Sequence, residues 1–230
     1  MRSYGQFCPV AKAAEIFCER WTALIIRDLA AGATRFAELQ RGVPLMSPTL
    51  LARRLRQLEA EGVVERRRGE GRRGFRYGLT RAGREFVPLV EALGVWGQRW
   101  TRRDLAPGEV DLGLLLWALE RSVHREALGE GRRVVELELT DQPAGRRRWW
   151  FLHEDGRTQL CRDHPGFDVD LYVSGTLRNL IRVVRGDITV GAALDQHRIE
   201  VFGAGRARAR LRAWLNLSPL AAVRSQRVSA

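Results

Sequence analysis

The residues of this 230-residue sequence best suited to chemistry are arginines, and their spacing suits anions and base edges. A guanidinium presents five N–H donors in a rigid fork that pairs with a phosphate or with the O6/N7 edge of guanine. Thr49, Arg53 and Arg56 stand at i, i+4 and i+7, which sets them on one side of a helix. Immediately downstream, residues 65–76 hold six arginines (Arg66, Arg67, Arg68, Arg72, Arg73, Arg76) and two glutamates. The first group has the reach of a base reader and the second that of a phosphate clamp; the plainer reading is a solvated, charged surface.

Catalytic patterns are not found. The four histidines (His124, His153, His164, His197) have no nucleophile at motif spacing. There is no phosphate-binding Gly-rich loop, no Gly-x-Ser-x-Gly elbow and no HExxH helix. Cys161-x2-His164 with His153 upstream is too irregular for a metal set. No catalytic residue, metal or cofactor is expected, and the chain does not read as an enzyme.

The overall balance agrees with an anionic partner. Lys+Arg number 39 against 27 Asp+Glu, a net charge of +12, and Lys12 is the only lysine. The arginine bias itself reads as a GC-rich genome, but its distribution is uneven. Residues 1–103 hold 20 basic and 10 acidic side chains; residues 104–230 hold 19 and 17. The Pro-Gly-bearing stretch 104–109 reads as a linker between two domains. Three cysteines (Cys8, Cys18, Cys161) fit a reducing compartment better than a disulfide framework. No signal-like N-terminal core or membrane-length apolar run is seen, so the expected location is cytoplasmic, with no membrane partner.

The elements that must position the arginines can be read from periodicity. An amphipathic helix follows Cys8-Pro9, with Cys18 on its buried side, and a second runs from about Trp21 to a stop at Gly32. Thr34 is the expected cap of a short helix buried through Phe36 and Leu39. Ser47 as N-cap and Pro48 as first helical residue then start a helix ending at Gly62. At about 100° per residue, Leu51, Leu55 and Leu58 form its buried stripe, opposite Thr49, Arg53 and Arg56. Strands at 63–68 and 75–79 follow, Phe75, Tyr77 and Leu79 pointing inward and Arg76 outward. Helices followed by such a hairpin make a winged helix-turn-helix. Thr80 caps a last helix with Phe86, Leu89, Val90, Leu93, Trp96 and Trp100 at helical spacing, an apolar stripe that suits a second subunit or the chain's own second domain.

Cys8-Pro-Val, Arg20-Trp-Thr-x-Leu-Ile-Ile, Arg35-Phe-x-Glu-Leu, Ser47-Pro-x2-Leu-x3-Leu-x2-Leu-Glu, Gly62-Val-Val-Glu-Arg, Tyr77-x-Leu-Thr-x2-Gly83 and Trp96-Gly97 together resemble HxlR-type regulators over about residues 5–100. The resemblance implies a bacterial transcription factor that binds double-stranded DNA as a homodimer, dimerised through the first helix and the helix after the wing. The wing tip departs from the family, having Gly and Arg where prolines are common. Some members sense oxidants through a cysteine in the first-helix region. That and its place at a helix N-terminus make Cys8 a redox candidate.

The second half reads as α+β, an antiparallel sheet with helices on one face. A helix is expected at 111–128, strands at 133–139, 148–153, 157–162, 168–173 and 199–202, and helices at 176–184, 187–194 and 207–215. Arg146-Arg-Arg-Trp-Trp150 reads as a strand with a charged lead-in. Val169-Asp-Leu-Tyr-Val-Ser-Gly-Thr-Leu-x2-Leu-Ile-x3-Arg-Gly-Asp187 and Ile199-Glu-Val-Phe-Gly203 resemble sterol-carrier-protein-like domains over 110–217, leaving 218–230 as a tail. This likeness implies a cavity for an apolar small molecule. Leu115, Leu116, Trp117, Trp149, Trp150, Phe151, Leu180, Ile181 and Trp214 are the candidate lining; tryptophans at such spacing are more often plain core.

The whole reads as a winged helix-turn-helix regulator, repression being the commoner sense, with a domain that answers an apolar effector. The alternative is an apolar-ligand carrier whose basic half docks on anionic membranes.

Overall fold

The computed structural model describes residues 3–69, 74–101, 104–122, 131–203, 205, 209, 211, 214–215, 219–224 and 226. It opens with four helices, α1 (Pro9–Phe17), α2 (Thr22–Ala30), α3 (Phe36–Gly42) and α4 (Pro48–Ala60). The hairpin strands β1 (Val64–Arg68) and β2 (Phe75–Leu79) pair antiparallel, and α5 (Arg81–Trp100) follows. Two units divide at residues 94 and 95, inside α5.

α4 starts where its sequence demands. The Ser47 hydroxyl accepts the Leu50 N–H at 3.3 Å, and Pro48 contributes a fixed φ to the first turn. Leu51, Leu55 and Leu58 are at most 2% exposed and pack in one cluster with Ile25, Ile26, Leu39, Val63 and Leu79. Truncating any of the three leucines to alanine is expected to cost about 2–5 kcal/mol.

Three local expectations in this unit are corrected. Thr34 does not cap α3: the cap is Arg35, and the Glu38 carboxylate accepts the N–H groups of Thr34 (2.7 Å) and Arg35 (2.9 Å). Thr34 is committed elsewhere, its carbonyl accepting the Tyr77 N–H at 2.7 Å and its hydroxyl accepting from Arg76 at 3.3 Å. Cys18 is exposed rather than buried, because it sits at the cap of α1 where the chain turns away. Phe75 is 45% exposed, since burial along β2 fades from Leu79 toward the tip; the Arg66 guanidinium lies 4.4 Å from its ring centroid.

After the end of α5, the second unit has a single 3-10 turn at Pro107–Glu109 and α6 (Leu112–Ser122). It continues through β3 (Arg133–Leu139), the one-turn α7 (Ala144–Arg147), β4 (Arg148–Glu154), β5 (Arg157–Cys161), β6 (Leu171–Gly175), α8 (Leu177–Arg185), α9 (Val190–Asp195) and β7 (Ile199–Gly203). Of the expected helix 111–128, residues 123–128 lie outside the described residues. So does most of the expected helix 207–215, of which Ala209 is described and exposed and Leu211, Trp214 and Leu215 are described and buried.

The sheet order is β5-β4-β3-β6-β7, and it is mixed, not antiparallel. β3 and β6 run parallel, from Val135 opposite Leu171 to Leu139 opposite Gly175. The segment 162–170 is the cause. It is no hairpin loop but a crossover from the β5 edge past β4 and β3, and nine extended residues span up to roughly 30 Å. The Asp170 carboxylate fixes the landing by accepting the Val134 N–H at 2.8 Å.

One face of the sheet carries the core, in which Val135, Leu137, Phe151, Leu180 and Trp214 are fully buried. His153 is buried among them. Its Nε2 accepts from the Trp214 indole at 3.2 Å, which places its ring proton on Nδ1, 2.7 Å from Thr158 Oγ1. Burial pulls its pKa down to about 4.

Candidate nucleic-acid interface

α3, the turn 43–47 and α4 form a helix-turn-helix whose turn is pinned from inside. Gln40 Nε2 donates to the Met46 carbonyl at 2.6 Å, and Arg27 reaches the Gly42 carbonyl at 3.1 Å. With the leucine stripe sealed, the opposite side of α4 is left to solvent: Thr49, Arg53 and Arg56 are all exposed, as is Ser47 at the cap. Among the described residues neither Arg53 nor Arg56 makes an ion pair, so both forks are available to an outside acceptor.

A third arginine of α4 does something else. Arg54 is 6% exposed and its Nη2 lies 2.8 Å from Glu19 Oε2, between α1 and α2. Sequence reading passed over it, although a signal was there: at about 100° per residue it falls roughly 60° from Leu51, on the flank of the buried stripe.

The wing arginines differ in how tightly they are held. Arg66 faces Glu59 of α4 at 3.4 Å, tying the wing root to the end of that helix, and Arg67 pairs with Glu65 at 2.9 Å. Arg76 donates to Thr34, and Arg35 and Arg76 form an isolated antiparallel bridge. Arg68 is exposed and without an ion pair among the described residues. Arg72 and Arg73 lie outside the described residues. Exposed pairs such as Arg67–Glu65 are worth at most about 1 kcal/mol and exchange readily for a phosphate.

Comparison with known proteins bears on this geometry directly. Residues 16–105 match the HxlR-like helix-turn-helix family. The uncharacterized HTH-type transcriptional regulator YvaP of Bacillus subtilis (strain 168) is 36% identical over 98 residues, which is 42% of this chain and 91% of that protein. The chain belongs to the HxlR-like helix-turn-helix family. An uncharacterized HTH-type transcriptional regulator of Synechocystis is 32% identical over 44% of this chain and 75% of its own length. One of Methanothermobacter thermautotrophicus is 31% identical over 44% and 79%. This HxlR-like chain is a DNA-binding transcriptional regulator.

Two further features of the HxlR-like unit were singled out from sequence. Cys8 is half-buried at the head of α1. Along α5, Leu89, Leu93, Trp96 and Trp100 are 45–58% exposed, while Phe86 stacks on Phe17 of α1.

In the second unit the nine residues expected to line a cavity do not act together. Leu115, Leu116, Trp117, Phe151, Leu180 and Trp214 are buried in packed core. Trp149 and Trp150 face opposite sides of β4, Trp150 donating to Glu136 at 3.1 Å, and Ile181 is half-buried. An open groove of about 810 Å³ lies beside that core, at the starts of α6 and α8 and the turn before α7, and of the nine only Leu116 and Trp149 line it. No described helix is long and apolar enough to cross a membrane, and no group of three or more described His, Cys, Asp or Glu residues could hold a metal.

Proposed function

We propose that this chain is a cytoplasmic, homodimeric repressor, not an enzyme, whose 1–103 half reads operator DNA. Thr49, Arg53 and Arg56 contact base edges in the major groove. Ser47 and the wing arginines Arg66, Arg67, Arg68, Arg72, Arg73 and Arg76 hold phosphates. The observation that carries this is the division of α4, three leucines sealed on one face and, on the other, two exposed arginines that make no ion pair among the described residues. Dimerisation through α1 and α5 is supported by the exposed apolar row on α5 and by Phe7 and Val10, 100% and 76% exposed. Two-fold symmetry then matches two half-sites about one helical turn apart.

Residues 110–217, after the 104–109 linker and before the 218–230 tail, act as a sterol-carrier-like effector domain. A small molecule with apolar character biases one of two dimer arrangements by binding it more tightly than the other. Cys8 is the thiol through which an oxidant would act on the same equilibrium.

The test is footprinting on the DNA upstream of its own gene, with salt titration and sedimentation equilibrium. Two protected half-sites, a dimer, and affinity falling steeply with salt are expected. Equal affinity for random duplex and for anionic vesicles would instead make it the lipid-docking carrier.

A further inference from the structure

We infer that the groove in the second unit binds an organic monoanion, a carboxylate on a flat or short aliphatic frame. This rests on the effector reading and gives it a chemical class. Three guanidiniums line the groove, Arg146, Arg162 and Arg178, from three separate segments of the chain. Two carboxylates line it as well, Asp111 and Asp141.

Both acids are already engaged. Asp111 Oδ1 accepts the Leu114 N–H at 2.6 Å at the head of α6, and Asp141 Oδ1 accepts the Leu177 N–H at 2.9 Å at the head of α8. Among the described residues, the arginine side chains meet backbone carbonyls at most. Arg178 donates to the Leu105 carbonyl at 2.9 Å and Arg162 to the Gly145 carbonyl at 3.4 Å, and among the described residues none of the three makes an ion pair. Each fork therefore keeps donors for an outside acceptor.

The charge selects the ligand. Three cations against two carboxylates leave an excess of one, which suits a singly charged carboxylate and disfavours a polyphosphate, whose further charge would meet Asp111 and Asp141. The remaining wall is apolar. The Trp149 indole is held by its own Nε1–H donating to the Arg146 carbonyl at 2.8 Å, and Leu112 and Leu116 of α6 complete that side. A groove of about 810 Å³ is within the range for small-molecule sites. The Leu105 carbonyl that Arg178 holds belongs to the segment leading from α5 into α6, so a ligand competing for Arg178 acts on that connection.

The experiment is calorimetric titration of the full-length protein with benzoate and octanoate, each beside its neutral counterpart, benzamide and octan-1-ol, and with inorganic phosphate. Saturable binding of at least one carboxylate is expected, at least about tenfold tighter than its neutral counterpart, and weakened about tenfold in Arg146→Ala/Arg162→Ala. Both arginines are exposed, and circular dichroism verifies the fold of the double variant. Carboxylates binding no better than the neutral compounds, phosphate binding as tightly as the carboxylates, or an unaffected double variant would each overturn the assignment. If a carboxylate binds as expected but leaves operator affinity unchanged, the groove stands and the effector reading falls.

Discussion

Arg54 and Glu19 form a contact that anchors α4: their side chains meet at 2.8 Å, with Arg54 almost fully enclosed, one residue from the exposed Arg53. Adjacent arginines on one helix therefore have opposite fates. Replacing Arg54 by Ala leaves Glu19 without its partner and opens a gap, and is expected to destabilise the first unit by about 1–3 kcal/mol, Glu19 being partly solvated. Replacing Arg53 by Ala should change stability by less than about 0.5 kcal/mol. On the operator it should lose about 1–3 kcal/mol and relax base preference at one position. Urea denaturation and binding to an operator mutant series measure the two effects. A destabilised Arg53→Ala with unchanged base preference would reverse the roles given to the two residues.

The wing should act without regard to sequence. Arg68 has no ion pair among the described residues, so Arg68→Ala is expected to weaken binding to operator and random duplex alike and to lower the slope of log affinity against log salt by about 1. Arg66→Ala should also release Glu59 at the end of α4. Its loss on DNA is therefore expected to come with a small loss of stability. Fluorescence anisotropy across a salt series distinguishes the two variants; a sequence-dependent loss in Arg68→Ala would mean that the wing reads bases.

Most of the first unit was legible in the sequence because its signals are local. Ser47-Pro48 fixes the start of α4, and the leucine spacing fixes which way it faces. What escaped was set by contacts distant along the chain. Thr34 is a good cap by type, yet Tyr77 and Arg76 take both its oxygens. Arg54 is solvent-facing by type, yet Glu19 receives it. In the second unit, strand positions followed from alternation, but the parallel pairing of β6 with β3 depends on where a nine-residue segment crosses, and no periodicity encodes that. The groove escaped for a related reason: its arginines come from α7, the crossover and α8, while a search for apolar runs leads to the core instead.

At Gly83, α5 passes close to the ends of the hairpin. A Cβ there would overlap the Val63 carbonyl oxygen and press on the Leu79 side chain at 3.1 Å. That carbonyl also accepts the Thr80 N–H at 3.1 Å, so it cannot withdraw without loosening the start of α5. Gly83→Ala, which favours a helix by propensity, is expected to destabilise by about 1–3 kcal/mol here. A melting temperature at or above that of the parent would show that the helix start can move away at no cost.

His153 gives the second unit a defined response to acid. Folded, it is neutral, with its pKa pulled down to about 4, while the unfolded chain has the ordinary value near 6.5. Between those values the unfolded state binds the extra proton, so stability falls as pH drops from about 6.5 to about 4 and this contribution levels off below. The whole effect is up to roughly 3 kcal/mol. Six of the seven tryptophans lie in residues 95–230, so intrinsic fluorescence during urea denaturation follows mainly this unit. His153→Gln can still accept from the Trp214 indole but does not titrate. It should flatten the decline by up to one proton's worth while keeping the fold at pH 7. Parallel declines in parent and variant would place the acid sensitivity on carboxylates and remove His153 from the account.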